Sequence, residues 1–261
     1  MIEHNFKKKF GQNFIQDNNI IRKIVETANI EDNSLIIEIG PGAGALTKEL
    51  VKKGKVLAYE IDTELKEKLN ETFKDNNNLE IIFDDFLNRN VKEDIKKYDY
   101  NKLYVVANLP YYITTPIITK IIEEKLDLEK MVIMVQKEVG ERFSAKPNSK
   151  DYSSITIFLN YYFDIKKEFI VSKNSFIPKP NVDSIIISLN KKKEKVYVKD
   201  EEKFFKLIRD SFQQKRKTLR NNLRDYNFEK ILNMLKENNL PETVRAEQIS
   251  LDLFAEISNN L

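Results

Sequence analysis

Five short apolar runs recur along the first half of the chain: SLIIEIG (34–40), KVLAYEID (55–62), LEIIFDD (79–85), LYVVAN (103–108) and MVIMVQ (131–136). Stretches of helical periodicity separate them. Asp17 stands where it would cap a helix with Ile20, Ile21, Ile24 and Val25 on one face. A helix through about Lys53 is expected after the first strand, and Leu65 and Leu69 belong to another after the second. Apolar strands alternating with helices predict an α/β fold, a parallel sheet covered on both faces. After residue 150 the pattern changes. SSITIFLNYYFDIKKEFIV (153–171) and VDSIIISLN (182–190) read as strands added antiparallel to one sheet edge. From about 200 onward the periodicity is helical. Phe204, Ile208 and Phe212 share one face; Phe228, Ile231, Leu232 and Leu235 share another. Leu253, Phe254 and Ile257 form a third, with Pro241 before it. The expected organisation is a sheet domain over 1–190 and a small all-helical domain over 196–261, joined by a Lys-rich link.

Composition narrows the chemistry. Among 261 residues there is no cysteine and one histidine, His4. Disulfides, thiolate nucleophiles and cysteine zinc sites are thereby excluded, and neither a Ser-His-Asp triad nor a histidine metal site is expected. No apolar run reaches 18 residues, so no membrane span is expected. MIEHNFKKKF has basic residues with no apolar stretch behind them, so no secretory signal is read and the expected location is the cytoplasm. No exposed apolar seam is evident, and a monomer is expected. Net charge is only +3, but the bases cluster at Lys7–Lys9, Lys191–Lys193 and Lys215–Lys217. Such runs are either solvated surface or parts of a phosphate-binding face.

Open parallel sheets bind ligands at the carboxyl ends of their strands, and Gly40, Glu60, Asp85 and Asn108 all fall there. Gly40, Gly42 and Gly44 in EIGPGAG (38–44) let the backbone approach a ligand. Either a dinucleotide pyrophosphate or the carboxylate of S-adenosylmethionine (SAM) suits that turn. Glu60 can accept from both ribose hydroxyls of either cofactor, and Asp85 from an adenine amine. Asn108-Leu109-Pro110-Tyr111 suggests more specific chemistry. An exocyclic base amine is a poor nucleophile because its lone pair is delocalised into the ring. An amide oxygen and a backbone carbonyl accepting its two hydrogens would turn that lone pair towards an incoming methyl. Pro110 stiffens the turn, and Tyr111 offers a face on which an extruded base stacks.

These segments resemble the ribosomal RNA adenine N6-dimethyltransferase family, which includes small-subunit enzymes and macrolide-resistance methylases. KKFGQNFI (8–15), EIGPGAGALT (38–47), NLPYYITTP (108–116), QKEVGERFSAKP (136–147) and FIPKPNVDS (176–184) match in order. RKTLRNNL (216–223) and RAEQISLDLF (245–254) favour the small-subunit branch. The resemblance implies a SAM-dependent Rossmann-like domain, with Asn13, Ile15, Gly40, Gly42, Glu60, Asp85 and Asn108 lining the SAM site. It implies that Asn108 and the Leu109–Pro110 backbone hold the target amine while Tyr111 and Phe176 sandwich the adenine. The implied substrate is two adjacent adenines in the 3′-terminal hairpin loop of small-subunit rRNA, with the rRNA or the small ribosomal particle as partner. Ser153 stands where the family pattern has Gly. Lys217, Arg220 and Arg224, spaced i, i+3 and i+7, would line one face of a helix that meets rRNA phosphates.

Overall fold

In the computed structural model, residues 14–15 and 17–261 are described; Asn13 lies outside them. In chain order the elements are β1 (Phe14–Ile15), α1 (Asn18–Ala28), β2 (Ser34–Ile39), α2 (Thr47–Leu50), β3 (Lys55–Tyr59), α3 (Lys66–Thr72), β4 (Leu79–Ile82), α4 (Val91–Asp94), β5 (Lys102–Asn108), α5 (Thr114–Glu123), β6 (Leu128–Gln136) and α6 (Lys137–Phe143). They continue with α7 (Ser154–Tyr162), β7 (Phe163–Val171), β8 (Phe176–Ile177), β9 (Ser184–Lys191), α8 (Glu201–Ser211), α9 (Leu219–Asn222), α10 (Phe228–Glu237) and α11 (Leu251–Asn260).

Seven strands form one sheet in the order β4-β3-β2-β5-β6-β9-β7. β4 through β6 run parallel and β9 pairs antiparallel with β6. All of β2 is buried, as a central strand covered on both faces must be. α1 begins where the Asp17 carboxylate accepts the Asn19 N–H at 2.8 Å and ends at Asn29, whose φ of 48° suits an asparagine C-cap. Its Ile21, Ile24, Val25 and Ala28 pack into a core with Ile36, Val56, Val106 and Val132. Each such side chain stabilises the fold by roughly 1.5–3 kcal/mol.

The chain separates into two units, one comprising residues up to Gly140 plus 166–190, the other 141–165 plus 191–261. The expected 190/196 border does not describe this division, because 141–165 belongs with the helical unit. The reason lies in 153–162, read above as strand but folded as the helix α7. Ser153 has an extended backbone (φ −154°) and its N–H donates to Thr156 Oγ1 at 3.1 Å, starting the helix. That φ suits any residue, so serine in place of the family's glycine is no strain. α7 puts Tyr161 and Ile157, four apart, into one cluster with Phe204, Leu207 and Ile208 of α8 and Phe254 of α11. Packing at helical spacing overrides the β-branched composition of SSITIF. Only the later part of that segment, β7, is strand.

Two further expectations change. The helix after the glycine turn is the four-residue α2, not one reaching Lys53, because turns occupy 42–46 before it and 51–53 after it. Residues 217–224 are not one helix either. Thr218 caps the four-residue α9, its Oγ1 accepting the Asn221 N–H at 3.3 Å, so Lys217 and Arg224 lie outside it.

Candidate active site

The sheet order reverses between β2 and β5, the position where open α/β sheets bind ligands. Pairing of these strands runs from Ser34↔Lys102 to Ile37↔Val105 and stops, although β2 continues to Ile39 and β5 to Asn108. The strands part over their last residues. Gly40 and Asn108 stand at the two lips of that opening. β3 keeps register on the other side of β2, Ile39↔Tyr59, which brings Glu60 level with Gly40; Tyr59↔Ile82 then carries the row to β4. Gly40, Gly42, Glu60 and Asn108 are thus set by register at one end of the sheet, and Asp85 follows β4 by three residues.

The glycine turn is held from beneath. Gly40 donates its N–H to the Tyr59 carbonyl at 2.9 Å. Glu60 Oε2 accepts the Gly42 N–H at 2.9 Å, and Oε1 accepts that of Asp62 at 2.8 Å. The expected role of Glu60, accepting two ribose hydroxyls, therefore adds to a bracing role, since a carboxylate has about four acceptor sites. Burial raises its pKa, and the backbone N–H groups of Asp62 and Gly42 counter that.

Glu38 was not singled out from sequence, though a lone acid inside SLIIEIG is the available signal. It is fully buried near Glu60. Burial first, then the Glu60 charge, push its pKa up to about 8, with the Thr47 hydroxyl pulling the other way. Beyond each other, Glu38 Oε2 and Thr47 Oγ1 are buried with no hydrogen-bond partner among the described residues.

Gly40 and Gly44 differ in purpose. Gly40 (φ +72°) has open space where a Cβ would stand, whereas a Cβ on Gly44 (φ +79°) would meet the Phe73 ring at 2.6 Å. Gly40 leaves room for a ligand and Gly44 for a neighbouring side chain. A cationic, adenosine-bearing cofactor such as SAM fits this set: open backbone at Gly40, buried carboxylates at 38 and 60, and Asp85 beyond. Asp85 is half-buried, and its Oδ1 also caps a short 3-10 turn by accepting the Leu87 N–H at 2.9 Å.

Past β5, Asn108 is half-buried and Leu109 buried. The Pro110 carbonyl is taken up within the turn, accepting the Ile113 N–H at 3.2 Å and the Thr114 hydroxyl at 3.3 Å. Of the two carbonyls expected to hold the amine, Leu109's is the better candidate. Tyr111 is half-buried, its hydroxyl 2.7 Å from Oγ of the buried Ser184 at the start of β9. Burial raises the Tyr111 pKa, so the phenol stays neutral at physiological pH.

Phe176, expected as the second face of an aromatic clamp, is 2% exposed and packs in the core cluster that includes Val171, Met134 and Ile24. It pairs with half-buried Ile15, expected at the cofactor, through the β1–β8 bridge.

The expected phosphate-binding residues lie in the helical unit. Lys217, Arg220 and Arg224 are all exposed. Arg220 is paired with Glu242 and sits 5.5 Å over the Phe228 ring, while Arg224 donates to Asn221 Oδ1 at 3.3 Å. Among the described residues no group of His, Cys, Asp or Glu is placed to hold a metal ion, and no helix is long and apolar enough to cross a membrane.

Residues 3–261 match the family described as ribosomal RNA adenine dimethylase. A relative from Macrococcus caseolyticus, ribosomal RNA small subunit methyltransferase A, is 44% identical over 98% of this chain and 90% of its own length. The protein of that name from Staphylococcus aureus is 43% identical over 97% of this chain and 89% of its own. Among solved structures, a dimethyladenosine transferase from Plasmodium falciparum superposes with a TM-score of 0.77 at 26% identity, covering 92% of this chain and 94% of that one. The 23S rRNA methyltransferase ErmE, at 24% identity and a TM-score of 0.75, shares the fold.

Proposed function

Because this chain belongs to the ribosomal RNA adenine dimethylase family, we propose that it uses SAM to dimethylate N6 of two adjacent adenines in the 3′-terminal hairpin loop of small-subunit rRNA. The observation that carries this reading is the meeting of Gly40, Glu60 and Asn108 where β2 and β5 part, with Tyr111 three residues beyond. SAM, when bound, supplies a methyl group on a positively charged sulfur.

The rest falls to the chain. Gly40 and Gly42 would give the cofactor close access to backbone, and Glu60 and Asp85 would read its ribose and adenine. The Asn108 side-chain oxygen and the Leu109 carbonyl accept the two hydrogens of the target amine and direct its lone pair at the methyl. Held in line in this way, the amine would be presented to the methyl that SAM would supply, and its proton would leave to solvent. Tyr111 stacks the extruded base, its ring pinned by Ser184. Rate comes from placement and alignment. We place the reaction in the cytoplasm, with the protein acting as a monomer on rRNA or on the small ribosomal particle, its exposed Lys217 and Arg224 among the phosphate contacts.

Asn108→Ala tests this. Incubated with unmethylated small subunits and labelled SAM, the variant should transfer methyl groups about 10²–10³-fold more slowly, the loss typical of removing one preorganised polar contact, while RNA affinity stays close to that of wild type. A fully active variant refutes the placement of Asn108. Wild-type label found anywhere but on adenine N6 refutes the reaction.

A further inference from the structure

Large apolar side chains left exposed on a folded chain are unremarkable when scattered. Here they gather. Among the described residues, Ile61 follows Glu60, Tyr112 follows Tyr111, Ile177 follows Phe176, and Val182 stands two before Ser184; all four are exposed. The segments carrying Tyr112 and Val182 are tied together by the 2.7 Å contact between Tyr111 Oη and Ser184 Oγ. Asp183, between Val182 and Ser184, is fixed in turn. Its carboxylate accepts the Lys173 N–H at 3.0 Å and its carbonyl accepts that of Lys137 at 3.0 Å.

Tyr112 is the most exposed of the four, at 61%. Its backbone lies inside the turn closed by Ile113 N–H on the Pro110 carbonyl, so the exposed ring is carried on a stiff support one residue from Tyr111. A single-stranded RNA that delivers one base to Tyr111 must bring the next base within a few ångströms. Aromatic faces stack unpaired bases without needing a particular sequence. Exposed Lys179, between Ile177 and Val182, adds positive charge suited to the intervening phosphate.

We infer that Tyr112 is a stacking platform for the nucleotide adjacent to the target adenine, with Ile177 and Val182 completing its apolar rim. This rests on the reaction proposed above and deepens it. When one adenine of the pair lies in the slot, its neighbour lies on Tyr112. The preference for two adjacent purines then comes partly from binding energy outside the slot.

The experiment compares wild type, Tyr112→Ala and Tyr112→Phe on unmethylated small subunits, and on subunits in which one adenine of the pair is replaced by uracil, a weak stacker. The readout is methylation of the remaining adenine. For wild type, uracil should raise KM for subunits about tenfold, as expected for losing one stacked base. Tyr112→Ala should raise KM by a similar factor on the native pair and gain no further penalty from uracil. Its kcat at saturation and its SAM affinity should match wild type, and Tyr112→Phe should restore KM. A Tyr112→Ala KM equal to that of wild type overturns the inference, as do penalties that multiply. If wild type leaves the subunits unmethylated, the proposed reaction fails instead, and that outcome is read directly from the wild-type lane.

Discussion

Replacing Gly40 and Gly44 by alanine separates the cofactor seat from the packing of the turn that carries it. Both glycines have positive φ, +72° and +79°, so alanine at either costs about 1–2 kcal/mol of folding stability through its Cβ and the neighbouring carbonyl. Beyond that the sites diverge. A Cβ at 44 would lie 2.6 Å and 2.8 Å from two ring atoms of Phe73. Phe73 is itself buried against Leu65 and Leu69, so the ring has little room to retreat, and overpacking adds about 1–3 kcal/mol. Gly44→Ala should therefore lose about 2–5 kcal/mol in total. At Gly40 a Cβ meets nothing within 4 Å, so the loss stops at the backbone cost. That methyl instead occupies the space assigned to the cofactor and should weaken SAM binding by about 10- to 100-fold. Urea unfolding gives the first quantity and calorimetric titration with SAM the second. The reasoning is refuted if Gly40→Ala binds SAM as tightly as wild type, or if it destabilises the fold as much as Gly44→Ala does.

Two other perturbations probe buried and surface charge. Glu38, neutral in the fold below a pKa of about 8 and ordinarily near 4.5 when unfolded, holds more protons folded than unfolded between those values. Stability should thus fall as pH rises from 4.5 to 8 and level off above, by several kcal/mol at most. Glu38→Gln should flatten that decline in pH-dependent urea unfolding; an unchanged slope refutes the assignment. On the helical unit, Lys217→Gln and Arg224→Gln should each reduce the salt dependence of RNA binding by about one unit in log–log slope. Arg220→Gln should change it less, because Glu242 already pairs with that guanidinium; equal effects from all three, measured by salt-titrated RNA binding, contradict this.

The parallel core was legible because burial on both faces leaves little alternative. β2, β3, β5 and β6 all fall within or beside apolar runs of the sequence, and their carboxyl ends carry the polar residues that a strand core excludes. SSITIFLNYY was illegible for the same physical reason. A short apolar run rich in Ile, Thr and Phe fits a buried strand and a buried helix equally well. What decides is Ile157 and Tyr161 meeting Phe204 and Ile208, residues more than forty positions away in the chain. The stretch around Lys217 misled in the opposite sense. Its charge spacing suits a helix, but Thr218 starts a new turn and Leu219 and Leu223 are both buried, which fixes the local geometry without regard to the charges.

Within the candidate site, the residues at the strand ends are more legible in sequence than the residues bonded to them. Asn108 and Gly40 were visible as departures from strand chemistry at strand ends. Ser184 was not, since a serine beginning an apolar strand carries no signal until its hydroxyl is found 2.7 Å from Tyr111. Glu38 was hidden because the glycines beside it drew the eye, yet a buried acid with no partner beyond Thr47 for one oxygen is a cost the fold keeps only where something offsets it. A cationic cofactor would be such an offset. Phe176 shows the converse limit: a motif position gives a residue's type without its exposure. In FIPKPNVDS the phenylalanine packs in the core and the isoleucine after it is exposed. The exposed apolar side chains that neighbour these motifs are Ile177, Val182 and Tyr112, and a search for the RNA contacts of this chain should begin with them.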